Sequence, residues 1–216
     1  MKENIREREP GNITIFGGTG NVGKIVVEKL LSTGKIVKVL TRTPSVGPEQ
    51  RNLRFITGDV LQVTDMQKCI GVDDSVIITL GFNNSSEDTM SRGTRNIIAV
   101  MAEKKCSRLI CLSAHGAGES WNDMPDGFKE MVMNDPVLKA SFKDHGIQEE
   151  IVKASSLSWT IVRPTEIVAT PESGNFAVNS YHDGLTYQIS KYDVAQFIVD
   201  ELHQNNYVRQ IAMITS

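Results

Sequence analysis

Three glycines spaced three residues apart, Gly17, Gly20 and Gly23, form the part of this chain whose spacing points most directly to chemistry. They follow the β-branched and aromatic run Ile13–Phe16, and an apolar-periodic segment at 24–31 comes next. This order predicts a strand, a tight turn and a helix, in which Gly17 permits the turn, Gly20 admits a pyrophosphate and Gly23 permits close helix packing. Backbone N–H groups and the dipole at the helix start would face the phosphates, so the pattern predicts a dinucleotide site. A glycine turn without a ligand is the alternative interpretation.

The residue that ends the second predicted strand favours NADP(H) over NAD(H). Domains that prefer NAD(H) place an acidic residue about 20 positions beyond the glycines, where it binds the ribose hydroxyls. Arg42 stands at that place in this chain, and a guanidinium can bind a 2′-phosphate through its fork of N–H donors. A solvated arginine at a strand end is the alternative.

Further candidates for cofactor binding lie where other predicted strands end. Asp59 follows the third predicted strand and could accept a hydrogen bond from an adenine amino group, although aspartates are common in turns. The predicted cofactor-binding residues are Gly17, Thr19, Gly20, Asn21, Val22, Gly23, Arg42, Asp59, Val60, Leu80, Gly81, Ser113 and Pro164.

The elements that must position these residues alternate between strand-like and helix-like runs. Strands are predicted at 13–16, 36–41, 53–57, 75–80, 108–113 and 158–163, with shorter candidates at 187–189 and 210–214. Helices are predicted at 22–32, 63–70, 89–104, 141–155 and 191–204. Continuous apolar runs such as Val76-Ile77-Ile78 are typical of parallel strands that are buried on both faces. The pattern predicts an α/β fold with a doubly wound, Rossmann-type parallel sheet and helices on both faces.

Length and composition limit the remaining possibilities. The chain of 216 residues fits a single domain, predicted at 11–216, after a charged and flexible N-terminal tail at 1–10. A net charge of -3 gives no electrostatic reason to expect nucleic acid as a partner, and no apolar run approaches the roughly 20 residues of a membrane span. The cysteines, Cys69, Cys106 and Cys111, form no CxxC pair, so we expect neither disulfides nor a metal site, and we expect a cytoplasmic location.

The least regular stretch of the sequence is 115–140, which contains Trp121, two prolines and three methionines. It follows the carboxyl end of a predicted strand, where ligands bind in open α/β sheets, so we predict a substrate-side loop. Trp121 and the methionines are suited to cover the face of a flat ring. Core packing and a plain surface insertion are the alternatives.

Six segments, at 17–23, 58–62, 90–97, 113–114, 160–164 and 189–194, carry a resemblance to a known group. They resemble the motifs of atypical short-chain dehydrogenases/reductases, a group that includes the NmrA-like proteins and the biliverdin-IXβ reductase (flavin reductase) family. Segments 90–97 and 189–194 are most similar to the flavin reductase branch. The resemblance implies a monomeric NADPH enzyme that reduces flavins, linear tetrapyrroles or quinone-like acceptors, with the flavin as a substrate and not as a tightly bound cofactor.

The chain departs from typical short-chain dehydrogenases, which use a Tyr four residues before a Lys on one helix. Tyr187 and Lys191 have this spacing, but 187–189 is predicted as a strand. Ser190 and Asp193 are predicted as a capping box that begins the last helix. Alcohol or ketone chemistry driven by a tyrosine is therefore not expected.

Ser113, His115 and His145 are the catalytic candidates. Ser113 ends the fifth predicted strand, where it could donate a hydrogen bond to an acceptor molecule or satisfy a backbone group, and the resemblance implies that it lies near the nicotinamide. Each histidine could supply a proton or be a structural or surface residue. Glu149, one turn after His145, could orient that ring or be solvated. The predicted substrate-binding residues are His115, Trp121 and Glu166.

The sequence contains no strong acid–base pair, and reduction of a flavin needs none, because the protein mainly aligns two flat rings. The leading hypothesis is an NADPH-dependent reductase of a small flat acceptor, above all free FMN or riboflavin. The first alternative is a non-catalytic NmrA-like protein that senses NADP(H) and contacts a partner protein. A specialised reductase or isomerase of a small metabolite is the second.

Overall fold

The computed structural model of the protein describes residues 12–44, 50–81, 88–179 and 187–216, and its centre is an eight-stranded sheet. The predicted tail at 1–10 lies outside the described residues. The strands are β1 (Ile13–Phe16), β2 (Val37–Thr41), β3 (Leu53–Thr57), β4 (Ser75–Ile78), β5 (Arg108–Leu112), β6 (Ser158–Pro164), β7 (Glu166–Val168), β8 (Ala177–Val178), β9 (Gln188–Ser190) and β10 (Gln210–Thr215). The helices are α1 (Gly23–Ser32), α2 (Val63–Cys69), α3 (Thr89–Glu103), α4 (Asp126–Asn134), α5 (Pro136–Lys153) and α6 (Lys191–Gln204), with a short 3-10 helix at Gly118–Asp123.

The strand order of the sheet creates a crevice at its carboxyl edge. The order is β3-β2-β1-β4-β5-β6-β10-β8, and every pair is parallel except β10 with β8. The chain first adds β2 and β3 on one side of β1 and then returns to add β4 on the other side. Open α/β sheets bind ligands at such a switch point. The predicted doubly wound Rossmann-type fold is confirmed, and the antiparallel edge strand β8 is an addition to it.

Two apolar layers, one on each face, hold the sheet. Helices α1 and α6 cover one face, where Ile15, Val26 and Ile198 are fully buried. Helices α2, α3 and α5 cover the other face, where Phe16 and Val152 are fully buried. Ile15 and Phe16 are neighbours on β1 and point to opposite layers, as the pleat of a strand requires. This is why the inner strands read as continuous apolar runs.

The segment 115–140 differs most from its prediction as an irregular loop. It contains the 3-10 helix, α4 and the first residues of α5, which begins at Pro136 and not at 141. The Asp135 carboxylate accepts hydrogen bonds from the backbone N–H groups of Val137 and Leu138 at 2.8 and 3.0 Å, so it caps α5. An aspartate followed by a proline is a helix-start signal, because proline is favoured at the first helical position. The prediction of a loop here was therefore wrong.

The start of α6 confirms one half of the predicted capping box. Ser190 Oγ accepts from the backbone N–H of Tyr192 at 3.2 Å and caps the helix. The carboxylate of Asp193 is used differently, because it accepts from the backbone N–H groups of Ser173 and Gly174. Asp193 thus fastens the loop before β8 to the start of α6.

The three cysteines, Cys69, Cys106 and Cys111, are free and buried. Burial raises the pKa of Cys69 to about 12 and also raises the pKa values of Cys106 and Cys111. They are therefore protonated thiols at neutral pH, and a thiol is a poor nucleophile. None of the helices in the described ranges has the length and apolar character needed to cross a bilayer.

Candidate functional site

A cleft of about 1350 Å³ opens at the carboxyl edge of the sheet. Its floor is formed by the turn after β1 and by the ends of β2, β4, β5 and β6, while α4 and α5 contribute a side wall. All of the predicted cofactor-binding residues except Gly23 line it, namely Gly17, Thr19, Gly20, Asn21, Val22, Arg42, Asp59, Val60, Leu80, Gly81, Ser113 and Pro164. The structure thus brings together residues that are distant in the sequence.

The glycine turn has the geometry that its spacing predicts. Gly17 has a φ of 86°, a left-handed value that favours glycine. A Cβ on Gly23 would collide with the carbonyl oxygen of Gly17 and lie 2.6 Å from Thr79 Oγ1, so Gly23 allows α1 to begin close to the end of β4. Gly20 is exposed and lines the cleft, and the nearest atom to a Cβ there would be the Gly17 carbonyl oxygen at 3.1 Å. A side chain at Gly20 would therefore project into the space that a ligand needs.

The N-terminus of α1 is suited to an anion. Within the described part of the chain, no side chain caps this helix end, and the first turn has no acidic residue. Its backbone N–H groups and the helix dipole therefore attract a negatively charged group. Together with the glycine turn, this end of α1 fits a pyrophosphate.

Arg42 directly follows β2, and its neighbours Thr41 and Thr43 line a second hollow of about 310 Å³. The hollow is lined by Thr19, Thr41, Thr43, Pro44 and Phe55. Thr41 Oγ1 donates to the backbone carbonyl of Thr43 at 3.0 Å, which fixes the turn that follows the strand. Arg42 and Thr19 both line the main cleft, and a guanidinium and a hydroxyl are donors that a phosphate monoester binds.

Asp59 has the turn role that the sequence allowed and also lines the cleft, while its contact with an adenine stays a prediction. Its Oδ1 accepts from the backbone N–H of Leu61 at 2.9 Å, so it closes its own turn, and the residue also lines the cleft. Asn96 of α3 donates from Nδ2 to the carbonyl of Val60 at 3.0 Å. Gly93 lets α3 approach, because a Cβ there would lie 2.9 Å from Val60 Cγ2. Segment 90–97 therefore positions the loop that lines the cleft.

Ser113 follows β5, and its hydroxyl donates to Glu149 Oε1 at 2.6 Å. Glu149 on α5 is fully buried. Arg163 of β6 pairs with it, with Nε donating to Oε1 at 2.8 Å and Nη2 donating to Oε2. The expectation that Glu149 orients His145 or is solvated was therefore wrong, because the carboxylate holds Ser113 and Arg163. A lone arginine in the apolar run of β6 was the sequence signal for such a buried partner, since buried charges are almost always paired.

The ion pair continues to the surface through Glu119, whose Oε2 lies 2.9 Å from Arg163 Nη2. Burial disfavours the charge on Arg163, but hydrogen bonds to Glu149 and Glu119 outweigh this and raise the pKa of the guanidinium. Burial likewise opposes the charge on Glu119, yet hydrogen bonds from Arg163 and Lys153 lower its pKa to about 2. Arg163 and Glu119 therefore remain charged across the physiological pH range.

His115 and His145 both line the cleft and are buried. Burial lowers the pKa of each ring, and the nearby charge of Arg163 lowers that of His115 further. His145 Nδ1 lies 3.2 Å from Gln148 Oε1, and the Gln148 amide donates to Thr94 Oγ1 at 3.0 Å. With the Gln148 oxygen facing the ring, a neutral His145 donates from Nδ1 and keeps Nε2 as an acceptor. The role of either histidine as a proton source stays a prediction, and the lowered pKa values oppose it.

Apolar side chains from α4, α5 and the residues before α4 form one wall of the cleft. They are Met124, Pro125, Phe128, Met131, Leu138 and Phe142. Phe128 and Phe142 meet edge to face, with ring centroids 5.5 Å apart. Trp121 packs 6.4 Å from each of these rings and is not among the residues that line the cleft. Trp121 was predicted to bind the substrate. The structure corrects this, because Trp121 packs against the two phenylalanines and does not line the cleft.

Glu166 and Tyr187 contribute another part of the lining. Glu166 begins β7, which pairs with β9 in a separate two-stranded sheet, and Gln188 Nε2 donates to Glu166 Oε2 at 2.9 Å. Tyr187 precedes β9 with a φ of 53°, whereas the sequence predicted it inside the strand. Lys191 begins α6 and lies over the ring of Tyr192. Tyr187 and Lys191 therefore do not share a helix, as expected, but the position of Tyr187 in the cleft was missed.

Comparison with known proteins agrees with this geometry. A family model described as NAD(P)H-binding matches residues 17–205. An uncharacterized chloroplastic protein of Arabidopsis thaliana is 25% identical over 206 residues, which cover 89% of this chain and 72% of that protein.

Solved structures share the fold at low sequence identity. ChuY, an anaerobilin reductase of Escherichia coli O157:H7, is 20% identical with a TM-score of 0.80, and the match covers 94% of this chain and 96% of that one. A short-chain dehydrogenase/reductase of Veillonella parvula in complex with NADP is 18% identical with a TM-score of 0.77, and the match covers 95% of this chain and 94% of that one. Because the family match begins at the glycine turn and extends through α6, the chain belongs to the NAD(P)H-binding family.

Proposed function

We propose that this protein is an NADPH-dependent reductase of flat conjugated acceptors, with riboflavin or FMN as the first expectation and a linear tetrapyrrole as the second. The observation that carries this proposal is a cleft that joins a dinucleotide site to a wall of aromatic and thioether side chains. Its volume of about 1350 Å³ exceeds the roughly 300–1,000 Å³ of a pocket for one drug-sized ligand. The cleft therefore has room for a dinucleotide and a second molecule beside it.

The chemistry of the lining fits each part of NADPH. The glycine turn and the start of α1 would hold the pyrophosphate, and the loop at 58–61 would hold the adenine. Arg42 with the hydroxyls of Thr19 and Thr43 would bind the 2′-phosphate. The strand ends at Leu80, Gly81 and Pro164 would hold the nicotinamide half. Preference for NADPH over NADH follows from Arg42.

The reaction needs alignment more than acid–base catalysis. When bound, NADPH supplies a hydride, which carries two electrons and one proton. With a flavin as acceptor, the hydride forms a bond to N5 and a solvent proton adds at N1, so the products are NADP⁺ and the reduced flavin. Phe128 and Phe142 hold the acceptor ring and exclude water from one side, and Ser113 fixes its edge. Neither histidine has to give up a proton in this scheme.

The comparisons support this choice of acceptors. One structural neighbour is an anaerobilin reductase, and another was solved with NADP. A bilin therefore belongs in the set of acceptors to be tested beside the flavins. The resemblance of segments 90–97 and 189–194 to the flavin reductase branch supports the same set.

The test is NADPH oxidation by the purified protein with riboflavin, FMN, biliverdin and menadione as separate acceptors. We expect turnover with at least one flavin or bilin, and a KM for NADPH well below that for NADH. Tight NADPH binding without reduction of any of these acceptors would make the reductase proposal wrong. A role in sensing NADP(H) would then be the better interpretation.

A further inference from the structure

The hydrogen bond made by Ser113 determines what this residue can offer to a ligand. A serine hydroxyl has one proton to donate and lone pairs that accept. The Ser113 proton is directed to Glu149 Oε1, 2.6 Å away. Because Ser113 lines the cleft, its oxygen can meet a bound molecule only as a hydrogen-bond acceptor.

Glu149 keeps the Ser113 proton in this direction. Its carboxylate is fully buried, and Arg163 donates to both of its oxygens. Turning the hydroxyl toward a ligand would remove a charge-assisted bond from a buried carboxylate, and such bonds are roughly twice as strong as neutral ones. Close packing protects the pair, because a Cβ at Gly118 would lie 3.0 Å from Glu149 Oε2. The hydroxyl therefore stays directed away from the ligand.

His145 gives the cleft a second acceptor. Its Nδ1 lies 3.2 Å from Gln148 Oε1, an oxygen that only accepts, and the Nε2 group of the same amide donates to Thr94 Oγ1 at 3.0 Å. In the neutral ring the remaining nitrogen, Nε2, has a lone pair and no proton. Ser113 and His145 thus present acceptors from two different elements.

We propose that these two groups make the cleft selective for flat molecules with an N–H group on the ring edge. This inference rests on the proposed reductase function and specifies its substrate class. The N3–H of a flavin and the pyrrole N–H groups of a bilin can donate to Ser113. A quinone has only carbonyl oxygens on its edge, so lone pairs would face lone pairs. Glu149 is then a positioning residue, because it acts on the ligand through Ser113.

The test compares riboflavin with 3-methylriboflavin, in which a methyl group replaces the N3 proton. Dissociation constants are measured by quenching of flavin fluorescence with saturating NADP⁺ present, so turnover is not required. We expect the wild-type protein to bind riboflavin about tenfold more tightly, which corresponds to one buried hydrogen bond. Equal binding of the two flavins, or no binding of riboflavin, would overturn the proposal.

The variant Ser113→Ala separates hydrogen bonding from size. If Ser113 accepts from N3–H, the variant binds riboflavin about tenfold more weakly and binds 3-methylriboflavin as the wild type does. If the serine only leaves too little room for the methyl group, riboflavin binding is unchanged and 3-methylriboflavin binds more tightly, which contradicts the proposal. Ser75→Ala is the matched control, because Ser75 is buried at the opposite end of the sheet, at the start of β4.

The variant Glu149→Gln tests the positioning role. An amide holds the Ser113 proton less strongly than a carboxylate does, so the hydroxyl becomes free to donate. The preference for riboflavin over 3-methylriboflavin should then shrink, and menadione should bind more tightly. An unchanged preference in a variant that still binds NADP⁺ would show that Glu149 does not orient Ser113. If this variant does not fold, the Ser113→Ala result decides alone.

The failure of this inference can be distinguished from failure of the proposed function. Selective binding of riboflavin without NADPH oxidation would contradict the reductase function and leave the selectivity standing. If NADPH reduces both flavins and the protein binds both with equal affinity, the reductase function stands and the selectivity is contradicted. A Ser113→Ala protein that loses affinity for NADP⁺ but not for riboflavin would assign Ser113 to the nicotinamide and overturn the inference.

Discussion

Arg42 and Ser113 illustrate what a sequence can and cannot predict about a single residue. Both were placed correctly at strand ends, because a strand followed by turn residues fixes where the chain leaves the sheet. The partner of Ser113 was not predicted, because Glu149 lies 36 positions away on α5 and meets it only when that helix packs against β6. Identity and position are local properties of the sequence, whereas the direction of a hydroxyl proton depends on tertiary packing.

Arg42 is the residue at which the choice between the two nicotinamide cofactors can be tested. We expect Arg42→Ala to raise the Kd for NADPH about tenfold or more, since a charge-assisted hydrogen bond is typically worth about 1.5–3 kcal/mol. The Kd for NADH should remain nearly the same, because NADH has no 2′-phosphate. Titration calorimetry with both cofactors checks this. Arg54→Ala on the edge strand β3 is the control, and equal weakening for both cofactors would assign Arg42 a structural role.

The buried histidines should make the stability of the protein depend on pH. Burial lowers the pKa of His145 in the folded state, whereas an unfolded histidine titrates near about 6.5. The unfolded chain therefore binds a proton that the folded one excludes, so the free energy of unfolding is intact above about pH 6.5 and falls below it. Urea unfolding at several pH values should show a shallower fall for His145→Gln. The exposed His203 provides the control variant His203→Gln, and identical slopes in all three proteins would contradict the assignment.

At the scale of elements, the glycine turn was predictable and the wall of the cleft was not. The turn has a local signature, because three glycines at fixed spacing between a strand-like run and a helix-like run can be recognised from the sequence alone. The segment 115–140 forms a 3-10 helix, α4 and the start of α5, and the contact of their apolar residues with the cleft depends on tertiary packing. The capping signal at Asp135 and Pro136 is nevertheless local, and it marks the start of α5.

Gly20 and Gly23 have different roles within one turn, and substitution separates these roles. Gly20→Val places a branched side chain in the cleft, so NADPH binding should be lost while the melting temperature stays near that of the wild type. Gly23→Ala forces a Cβ against Gly17 and Thr79, and such overpacking typically costs about 1–3 kcal/mol of stability. Thermal unfolding and cofactor titration of both variants check this. A Gly20→Val protein that binds NADPH normally would exclude the turn as the pyrophosphate site.

The aromatic wall should act on the acceptor and not on the cofactor. Phe142→Leu keeps an apolar side chain but removes a ring that packs on Phe128 and lines the cleft. Aromatic contacts add about 0.5–1.5 kcal/mol beyond their buried area, so the KM for a flavin should rise about three- to tenfold. The Kd for NADPH should not change. Met133→Ala, an exposed position on α4, is the control, and a flavin KM that is insensitive to Phe142 would place the acceptor elsewhere.

At the scale of the whole molecule, the sheet connects the two parts of the cleft that the proposed reductase reaction would use at the same time. The proposed cofactor half of the cleft is formed by β1, β2 and β4, and the proposed acceptor half by β5, β6 and the helices between them. The two halves share one sheet with an apolar layer on each face, so their relative position is set by core packing. Hydride transfer depends on that alignment, because the gain from orienting two reactants is lost with small displacements.

The cleft should therefore hold cofactor and acceptor together. NADP⁺ and riboflavin added at once should raise the melting temperature more than either ligand alone, because each ligand that binds only the folded state stabilises it by about 2.7 kcal/mol at a hundred times its Kd. In steady state, rates measured over a grid of NADPH and acceptor concentrations should give intersecting double-reciprocal lines. Parallel lines, or riboflavin that gives no stabilisation beyond that of NADP⁺, would mean that the ligands occupy the cleft in turn. The volume of about 1350 Å³ favours simultaneous binding, since neither ligand has to leave for the other to enter.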